Sequence, residues 1–557
     1  MKNKIIYLLL MLVTILACNE EFSESVDIGA LSGGQLQNEV GVDLLLIGAY
    51  SVLDGENNSG GADWHKAGDN WWIDVISDDA HKGSTDGDQS DLFSLETFDW
   101  PTSNAYLFGK WKAIFAGINR CNTVIDFIGK IEGIDFSEKE AEARFLRAHF
   151  NFELQKMFVN VPFISLENFQ NTEFNQPNSG SIWTQIEADF QFAIDNLPAT
   201  QSDVGRPTSM TAKAFLGKIK LYQSKWSEAL TLLNEVINSG TYSLLSEFAD
   251  NFRIAGDNSV ESIFSIQFTA DPGQSYNGNR GGTLNWAGPF SCCGFYQPTQ
   301  DLVNAYQTVA GLPLLDTFNQ TDVANDYGIN SNEAFVLHTG ELDPRLDYTV
   351  GRRGIEYNGY GLHPGKEWVR SAFIDISGPY TAKKSIYQQS ETGNQGTGAW
   401  GQQRSGINYH IMRYADVLLM AAEAAVETGD NTMALGYVNQ VRNRAKNMTY
   451  VQNEAGTTDA ANYSIEPYAS FADQTIARKA VRFERRLELG MEGHRLFDLR
   501  RWGNGAEIMN AYATNESRTI TSFAGDSRTY EGKHDMFPIP IDAIDLSGGI
   551  LTQNPGF

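Results

Sequence analysis

Residues 482–502 read Arg482-Phe-Glu-Arg-Arg-Leu-Glu-Leu-Gly-Met-Glu-Gly-His-Arg-Leu-Phe-Asp-Leu-Arg-Arg-Trp502, the densest cluster of charge in the chain. On a helix, Glu488 and Glu492 share one face, and Glu492 reaches Arg495 at a spacing of three residues. The interleaved apolar residues imply partial burial, where carboxylates and guanidiniums must pair because an unpaired buried charge is very costly. The stretch therefore predicts a structural ion-pair network rather than an active site.

Two predicted helix pairs lie upstream of this cluster. Apolar residues recur at helical spacing over residues 211–223 and 227–239, and Lys225-Trp-Ser-Glu-Ala229 is similar to part of a tetratricopeptide repeat. A second pair occupies residues 414–428 and 431–444, joined by Gly429-Asp430. The two pairs show no clean tandem period, so the repeats are degenerate or interrupted.

The pattern from about residue 39 to residue 250 is mainly helical. Residues 107–128 carry apolar side chains at helical spacing, and Ser137-Glu-Lys-Glu140 is typical of a capping box that opens the next helix. A further helix is predicted over residues 182–197, where Pro198 stops it. Trp72, Trp111 and Trp226 sit in these periodic patterns and are predicted to lie in the core.

The middle of the chain differs in character. Residues 263–268 alternate like a strand, whereas residues 270–300 and 351–405 are rich in Gly, Asn, Gln, Ser and aromatic residues without helical periodicity. Loops of this length are usually functional or disordered, and their aromatic content argues against disorder. The pattern predicts a helical scaffold that presents a loop-rich, aromatic face.

The first eighteen residues have the layout of a secretory signal peptide. Lys2 and Lys4 precede an apolar run, too short to span a bilayer, that ends at Ala17 before Cys18. A small residue directly before a cysteine resembles the lipobox of bacterial lipoproteins, in which that cysteine is acylated. The alternatives are an ordinary signal peptide or a free thiol. Residues 19–38 read as a polar, flexible tether.

Composition excludes several classes of partner. The net charge of −27 argues against nucleic acid and against docking on anionic lipid through basic residues, so the lipid must provide the anchor. No later segment is apolar enough for a second membrane span. Cys121 lies in an apolar helical pattern, and the adjacent Cys292 and Cys293 favour neither a normal disulfide nor a zinc site.

Catalytic and metal-binding signatures are scarce. Gly396-Thr-Gly-Ala-Trp-Gly401 matches a nucleotide-binding pattern but neither follows a strand nor opens a helix. Residues 86–91 resemble the start of a calcium loop but lack its later Gly and Glu, which favours a solvated acidic loop. Asp78 and Asp79 are candidate glycosidase carboxylates, but adjacent side chains tend to point apart. No cofactor and no metal site are predicted.

Several motifs, in this order, make the chain similar to the SusD/RagB family of nutrient-binding outer-membrane lipoproteins of Bacteroidota. The first of these motifs is the lipobox at Cys18. Those that follow are, in chain order, Trp72 to Asp79, Trp111 to Asn122, Glu142 to Ala148, Arg413 to Glu423, Asn439 to Ala445, Arg485 to Trp502, Phe537 to Pro540 and the C-terminal Gln553 to Phe557.

The resemblance implies a mainly α fold of four tetratricopeptide-like helix pairs, with an irregular loop-rich segment and few short strands. It implies a signal peptide over residues 1–17, Cys18 and the tether over 18–38, and one SusD-like domain over 39–557. Within that domain the helical scaffold would cover about 39–250 and 405–557, and the ligand-binding insert about 260–404.

Position relative to the family motifs predicts the ligand-binding residues. Sugars pack their CH faces on aromatic rings while their hydroxyls need polar partners, so a shallow aromatic platform is expected. The predicted platform residues are Trp100, Trp286 and Tyr296, with Phe290 and Trp368 as further candidates, and Asp78 as a hydroxyl partner. For each tryptophan the alternative is core packing.

The function implied by the resemblance is non-catalytic capture of a glycan at the cell surface. The protein would be held in the outer membrane by lipid on Cys18 and would deliver the glycan to a SusC-like TonB-dependent transporter. Two alternatives stay open: a surface-anchored glycoside hydrolase or lyase using Asp78 and Asp79, and a tetratricopeptide scaffold that binds only protein. The sequence does not identify the glycan.

Overall fold

A computed structural model describes residues 37–55, 70–85, 87–269, 294–369, 378–384, 386–397, 403–520 and 528–557. Helices dominate these ranges. In chain order they are α1 (Glu39–Tyr50), α2 (Trp71–Val75), α3 (Ser90–Glu96), α4 (Ala105–Ile128), α5 (Ser137–Phe158), α6 (Leu166–Gln170), α7 (Trp183–Asn196), α8 (Ser209–Tyr222), α9 (Trp226–Asn238), α10 (Gln300–Ala305), α11 (Leu346–Thr349), α12 (Tyr414–Glu427), α13 (Asn431–Asn447), α14 (Gln474–Leu489), α15 (Arg495–Trp502), α16 (Gly505–Glu516) and α17 (Ile541–Leu546).

The strands of the described ranges are short and pair only in antiparallel twos. They are β1 (Ala80–Gly83), β2 (Ser262–Ile266), β3 (Phe295–Pro298), β4 (Thr308–Val309), β5 (Leu312–Pro313), β6 (Val350–Gly351), β7 (Thr381–Ala382), β8 (Gln395–Thr397), β9 (Gln403–Ser405) and β10 (Tyr409–Arg413). The ribbons are β1–β3, β2–β10, β4–β5, β6–β7 and β8–β9. Because two-stranded ribbons are marginal alone, each depends on packing against the helices.

Eight helices stack as four pairs. The pairs are α1 with α4, α5 with α7, α8 with α9, and α12 with α13, and successive pairs meet through α4–α5, α7–α8 and α9–α12. This arrangement confirms the predicted mainly α fold of helix pairs with few short strands. Insertions separate the members of the first two pairs, which explains the missing tandem period.

Helix α12 lies at the centre of the C-terminal half. Every residue from Tyr414 to Val426 is buried, as expected for a helix that is apolar on all sides. Two acidic residues interrupt that surface, and both are paired: Asp416 with Lys218 and Arg485, and Glu423 with Arg501. The helix therefore anchors its neighbours by ion pairs as well as by apolar packing.

The predicted helix boundaries agree with the structure to within three residues, but one predicted cap is wrong. The residue before α5 is Phe136, whose side chain caps nothing, and the amide of Ser137 donates instead to Asp135 at 2.9 Å. A capping box does form on α8, where Thr208 and Thr211 bond each other's backbone amides. No helix in the described ranges has the length and apolar character needed to cross a bilayer.

Candidate ligand-binding surface

Asp78 and Asp79 follow α2 and are held by two arginines of the C-terminal charge cluster. Arg486 on α14 donates from Nε to a carboxylate oxygen of Asp79 at 2.8 Å and from Nη2 to the carbonyl oxygen of Asp78 at 2.8 Å. Arg495 donates to both carboxylate oxygens of Asp78, each at 2.7 Å. Asp78 and Asp79 are each 1% exposed, so both carboxylates are occupied inside the protein.

Neighbouring carboxyls in this region have opposite pKa shifts. Burial would raise the pKa of Asp78, but the guanidiniums of Arg486 and Arg495 outweigh burial and hold that pKa at about 2. For Asp74 the balance is the reverse: burial, reinforced by the nearby charge of Asp79, raises its pKa to about 8. Asp74 is therefore mostly protonated at neutral pH, and it accepts hydrogen bonds from the Tyr296 hydroxyl at 2.6 Å and the Gly493 amide at 2.8 Å.

The acidic face of α14 meets a second set of cations. Glu488 pairs with Arg345 at 3.0 Å and with Arg413 at 2.6 Å, and Glu484 pairs with Arg345 and Arg442, each at 2.7 Å. The predicted structural ion-pair network is thus confirmed. The predicted pairing of Glu492 with Arg495 is wrong, because α14 ends at Leu489 and helical spacing no longer applies. Glu492 pairs instead with Arg413 and with Lys384, at 2.8 Å and 2.6 Å.

The structure places Asp78 and Tyr296 away from solvent, which corrects their predicted roles as ligand contacts. Asp78 already accepts from Arg495 and Arg486. Tyr296 has a φ of 56°, in the left-handed region that is uncommon for a side-chain-bearing residue. Its buried ring packs edge-on against Trp71, and its hydroxyl is bonded to Asp74. Both residues join β1–β3 to the helical scaffold.

Trp100 is likewise a core residue rather than a surface platform. Its side chain is buried, with ring centroids 4.6 Å from His534 and 4.9 Å from Phe537. Its Nε1 donates to the Leu95 carbonyl at 2.8 Å. Trp100 therefore packs in the core, which was the alternative to a platform role. Trp72 and Trp111 are buried as predicted, and Trp226 packs partly buried against the core.

Trp368 is the predicted platform residue that the described structure leaves half-buried. Its ring lies edge-on over Tyr357 and His363, with centroid distances of 5.4 Å and 5.1 Å. Trp368 and the half-buried Tyr360 pack against one small cluster that includes Tyr357, separate from the main core. We call Trp368, Tyr360, Tyr357 and His363 the Trp368 surface.

Backbone contacts fix the two buried rings beneath Trp368. The Tyr357 hydroxyl donates to the carbonyl of Ala382 on β7 at 2.6 Å. His363 Nδ1 accepts from the amide of Gly365 at 3.0 Å, so Nε2 carries the proton and donates to the Thr381 hydroxyl at 3.1 Å. Burial lowers the pKa of His363 to about 3, which keeps the ring neutral. These two fixed, neutral rings support Trp368 from beneath without placing a charge under it.

Sequence reasoning missed His363 and the arginine partners of Asp78. The run from Tyr357 to Trp368 does carry a signal, since it combines aromatic residues with Gly359, Gly361 and Gly365, all at positive φ. The remaining predicted residues, Cys18, Trp286 and Phe290, lie outside the described residues, as do Cys292 and Cys293. The described Cys121 is a buried free thiol.

The loop after β1 closes around an ammonium group. Lys82 Nζ donates to the carbonyl oxygens of Gly83, Thr85 and Asp88 at 2.8, 2.6 and 2.8 Å. This loop runs into residues 86–91, whose sequence resembles the start of a calcium site, and within that run the carbonyl of Asp88 accepts from the lysine. Among the described residues, no group of three or more His, Cys, Asp or Glu side chains is arranged to hold a metal.

Comparison with known proteins finds matches to two family models. A family model described as "SusD family" matches residues 260–557, and one described as "Starch-binding associating with outer membrane" matches residues 51–221. The chain is 24% identical to SusD-like protein P2 of Formosa agariphila over 477 residues, which is 83% of each chain.

Solved structures share the fold. A SusD superfamily protein from Bacteroides vulgatus aligns with a TM-score of 0.69 at 23% identity, covering 93% of this chain and 99% of that one. Surface glycan-binding protein A from Bacteroides thetaiotaomicron, in complex with laminarihexaose, aligns with a TM-score of 0.64 at 19% identity, covering 93% and 99%. These likenesses are to overall architecture, since so few residues are identical.

Proposed function

The chain belongs to the SusD family, and on that premise we propose that it captures an oligo- or polysaccharide at the cell surface. It delivers the glycan unchanged to a SusC-like TonB-dependent transporter in the outer membrane. The observation that carries the proposal is the Trp368 surface, a half-buried tryptophan on two fixed rings within the loop-rich segment. An aromatic face of this kind packs against the CH face of a sugar, and the surrounding polar loops supply partners for its hydroxyls.

The relatives support the class of ligand. One structural relative was solved with laminarihexaose, another is described as a "Laminarin binding SusD-like protein", and the model matching residues 51–221 is described as starch-binding. Laminarin and starch are therefore the first glycans to test. Trp286 and Phe290 remain proposed members of the same site.

The geometry of the acidic pair supports binding without catalysis. A retaining glycosidase needs two carboxyls about 5 Å apart across one sugar, with one of them free to attack. Asp78 and Asp79 are instead buried in ion pairs with Arg486 and Arg495. A sugar would have to break those pairs to reach either carboxylate.

Cys18 is the proposed point of attachment to the membrane. We propose that Cys18 is acylated after cleavage of residues 1–17 and that residues 19–38 link the lipid to α1. Twenty extended residues span at most roughly 70 Å, so the anchor keeps the folded domain close to the outer membrane. The description "associating with outer membrane" supports this location.

The proposal is tested by affinity electrophoresis of the domain starting after Cys18, in gels containing laminarin or starch. We expect retardation in one of them and no release of reducing ends on prolonged incubation. Trp368→Ala should weaken binding about tenfold or more, as truncation of an aromatic anchor does, while Trp368→Phe keeps most of it.

Three results would count against the proposal. Release of reducing ends that Asp78→Asn abolishes would support the hydrolase alternative. Absence of binding across a broad glycan array would support the protein-only scaffold. Equal glycan affinity of the wild type, Trp368→Ala and Trp286→Ala would show that these aromatic residues do not bind the glycan.

A further inference from the structure

A second concave surface lies in the helical scaffold, apart from the Trp368 surface. It is a cleft of about 320 Å³ between the loop that joins α7 to α8 and the turn that leads into β2. Its lining includes Thr200, Gln201, Tyr242, Asn258, Ser259 and Val260. We call it the α7–α8 cleft. A volume near 300 Å³ is at the lower end of small-molecule sites.

The walls of the cleft are fixed. Thr208 and Thr211 form the capping box of α8, and the Thr211 hydroxyl lies 3.1 Å from that of Tyr242 on the opposite wall. Gly205 has a φ of 83°, and a Cβ there would lie 2.7 Å from the Gln267 side chain, so the loop packs tightly against the end of β2. A preformed cleft loses little free energy on ordering when a ligand binds.

The cleft lining contains one acidic and one basic residue, Asp203 and Arg206, and they are paired. Arg206 pairs with Asp203 at 3.0 Å and with Glu142 at 2.8 Å, which leaves hydroxyls and amides as the chemistry facing the opening. Ser259 Oγ is inaccessible to solvent and makes no hydrogen bond within the described residues, although a buried hydroxyl normally has a partner. Because Ser259 Oγ is closed to solvent, the polar side chains that can meet a ligand are those exposed in the lining, such as Thr200 and Asn258.

Apolar groups complete the lining. Val204 and Val260, which are 77% and 53% exposed, line the cleft together with Tyr242. A lining of hydroxyls, amides and small apolar patches without net charge matches a neutral, polyhydroxylated molecule. Among the described lining residues, both charged side chains are paired with each other, so a charged ligand would find no unpaired ion there.

The two surfaces share one stretch of chain. Ile254 packs against the cluster beneath Trp368, and its amide donates to Glu391 at 3.2 Å. Four residues later, Asn258 lines the cleft and exchanges hydrogen bonds of 2.8 and 2.9 Å with Gln267. Residues 253–260 therefore lie between the Trp368 surface on one side and the cleft on the other.

We propose that the α7–α8 cleft is a second glycan-binding site that holds one or two sugar residues. The ligand class rests on the proposed function, but the cleft itself does not depend on Trp368. Two weak sites on one domain raise the retention of a long polysaccharide through a high effective concentration at the second site.

The test uses saturation-transfer NMR with laminarihexaose and maltohexaose, together with gels of laminarin and starch. Val260→Arg and Thr200→Arg place a long charged side chain at the cleft from opposite walls, and both residues are exposed, so the fold is kept. Val309→Arg, at a 62% exposed valine on β4, is the matched control. We expect Trp368→Ala to retain a saturation-transfer signal. Adding either cleft substitution to Trp368→Ala should remove that signal, and adding the control substitution should leave it unchanged.

The outcomes separate the two proposals. Loss of all binding in Trp368→Ala overturns the cleft and leaves the proposed function standing. A signal in Trp368→Ala that persists through both cleft substitutions also overturns the cleft. Binding lost in Val260→Arg but unchanged in Trp368→Ala supports the cleft and removes Trp368 from the proposed site. No signal in the wild type with either hexasaccharide and no retardation by either polysaccharide would overturn the cleft, and absence of binding across the broad glycan array would overturn the proposed function as well.

Discussion

The Nε atom of Arg486 donates a hydrogen bond to a carboxylate oxygen of Asp79 at 2.8 Å, although 407 positions separate the two residues. The same guanidinium lies 3.1 Å from a carboxylate oxygen of Asp78 and 2.8 Å from one of Asp301. Burial would lower the pKa of Arg486, but these three carboxyls raise it above its usual value. One side chain on α14 thus fixes the segment before β1 and the start of α10.

Removing this cation should destabilise the fold. Arg486→Met leaves Asp79 and Asp301 without this cation and Asp78 with Arg495 alone, and breaking one side of a buried ion pair costs about 3–5 kcal/mol. Arg486→Lys keeps the charge but loses the planar fork, so its cost should be smaller. Urea unfolding at pH 7 measures both. Arg518→Met, at an exposed arginine 3.8 Å from Asp322, is the control, and an equal loss there would contradict the assignment.

Two neighbouring aspartates should respond in opposite ways to the same substitution. Asp78→Asn removes a carboxylate that two arginines require, so we expect a loss of about 3–5 kcal/mol. Asp74→Asn replaces a carboxyl that is already mostly neutral, so its hydrogen bonds from Tyr296 and Gly493 persist and the loss measured near pH 4 should stay below about 1 kcal/mol.

Asp74 also gives a pH dependence with a defined sign. Its pKa is raised by burial to about 8 in the folded protein, so its contribution is fully present below pH 4 and is lost as pH rises through 8. Unfolding free energies of wild type and Asp74→Asn, compared from pH 5 to pH 9, should diverge in favour of the variant. A constant difference across that range would mean that Asp74 is ionised throughout.

Features of the fold that depend on interactions between residues near each other in sequence can be predicted from the sequence, whereas those that depend on distant residues cannot. Helix α7 was predicted at 182–197 and spans Trp183–Asn196, because its apolar period and Pro198 are local signals. Burial of the charge cluster was also predictable, since apolar residues alternate with charges within α14. The partners of those charges were not, because Asp79 and Arg486 meet only through the complete fold.

The same limit applies to the candidate site. Trp100 and Trp368 have similar local surroundings, each beside a turn and a proline-containing segment. His534 and Phe537, more than 400 positions downstream, cover Trp100, whereas Trp368 packs against a small cluster that leaves its ring half-buried. Exposure of a tryptophan is a tertiary property, so composition alone does not decide which ring faces a ligand.

His81 on β1 should make the protein less stable in alkaline solution. Burial would lower its pKa, but hydrogen bonds and charge from Glu516 and Glu96, with His81–carboxylate distances of 3.4 and 2.9 Å, raise it to about 9. The contribution of His81 is therefore fully present below about pH 6.5 and is lost as pH rises through 9. From the size of the shift it is on the order of 3 kcal/mol.

Urea unfolding between pH 6 and pH 10 measures this effect, with His81→Gln expected to flatten the alkaline decline. His149 provides the opposite case, because burial lowers its pKa to about 4 and its contribution is lost as pH falls from 6.5 towards 4. His149→Gln should leave the alkaline limb unchanged. If His81→Gln leaves it unchanged too, His81 is not the group that titrates.

Gly351 on β6 should connect stability to ligand binding. A Cβ at this position would lie 2.3 Å from the Thr381 hydroxyl and 2.5 Å from the Tyr357 ring, both of which support the Trp368 surface. Gly351→Ala should cost about 1–3 kcal/mol, as overpacking does, and should also weaken glycan binding. Gly436→Ala, on α13 with open space around it, should stabilise by about 0.5–1 kcal/mol and leave binding unchanged. Thermal unfolding and gel retardation measure the two effects separately.

Cys18→Ala should separate location from binding. The cysteine precedes α1 by a tether of twenty residues, and the described ion network, the Trp368 surface and the α7–α8 cleft all lie after residue 70. We therefore expect the variant to leave the membrane fraction while its folded domain retains the wild-type affinity for laminarin or starch. Cell fractionation with metabolic labelling by a fatty acid measures the first effect, and affinity electrophoresis the second. On the proposed function, growth on the bound glycan should slow, because a released domain is no longer held beside the proposed transporter. Retained labelling in the variant would place the lipid elsewhere, and lost affinity would mean that the anchor contributes to the site itself.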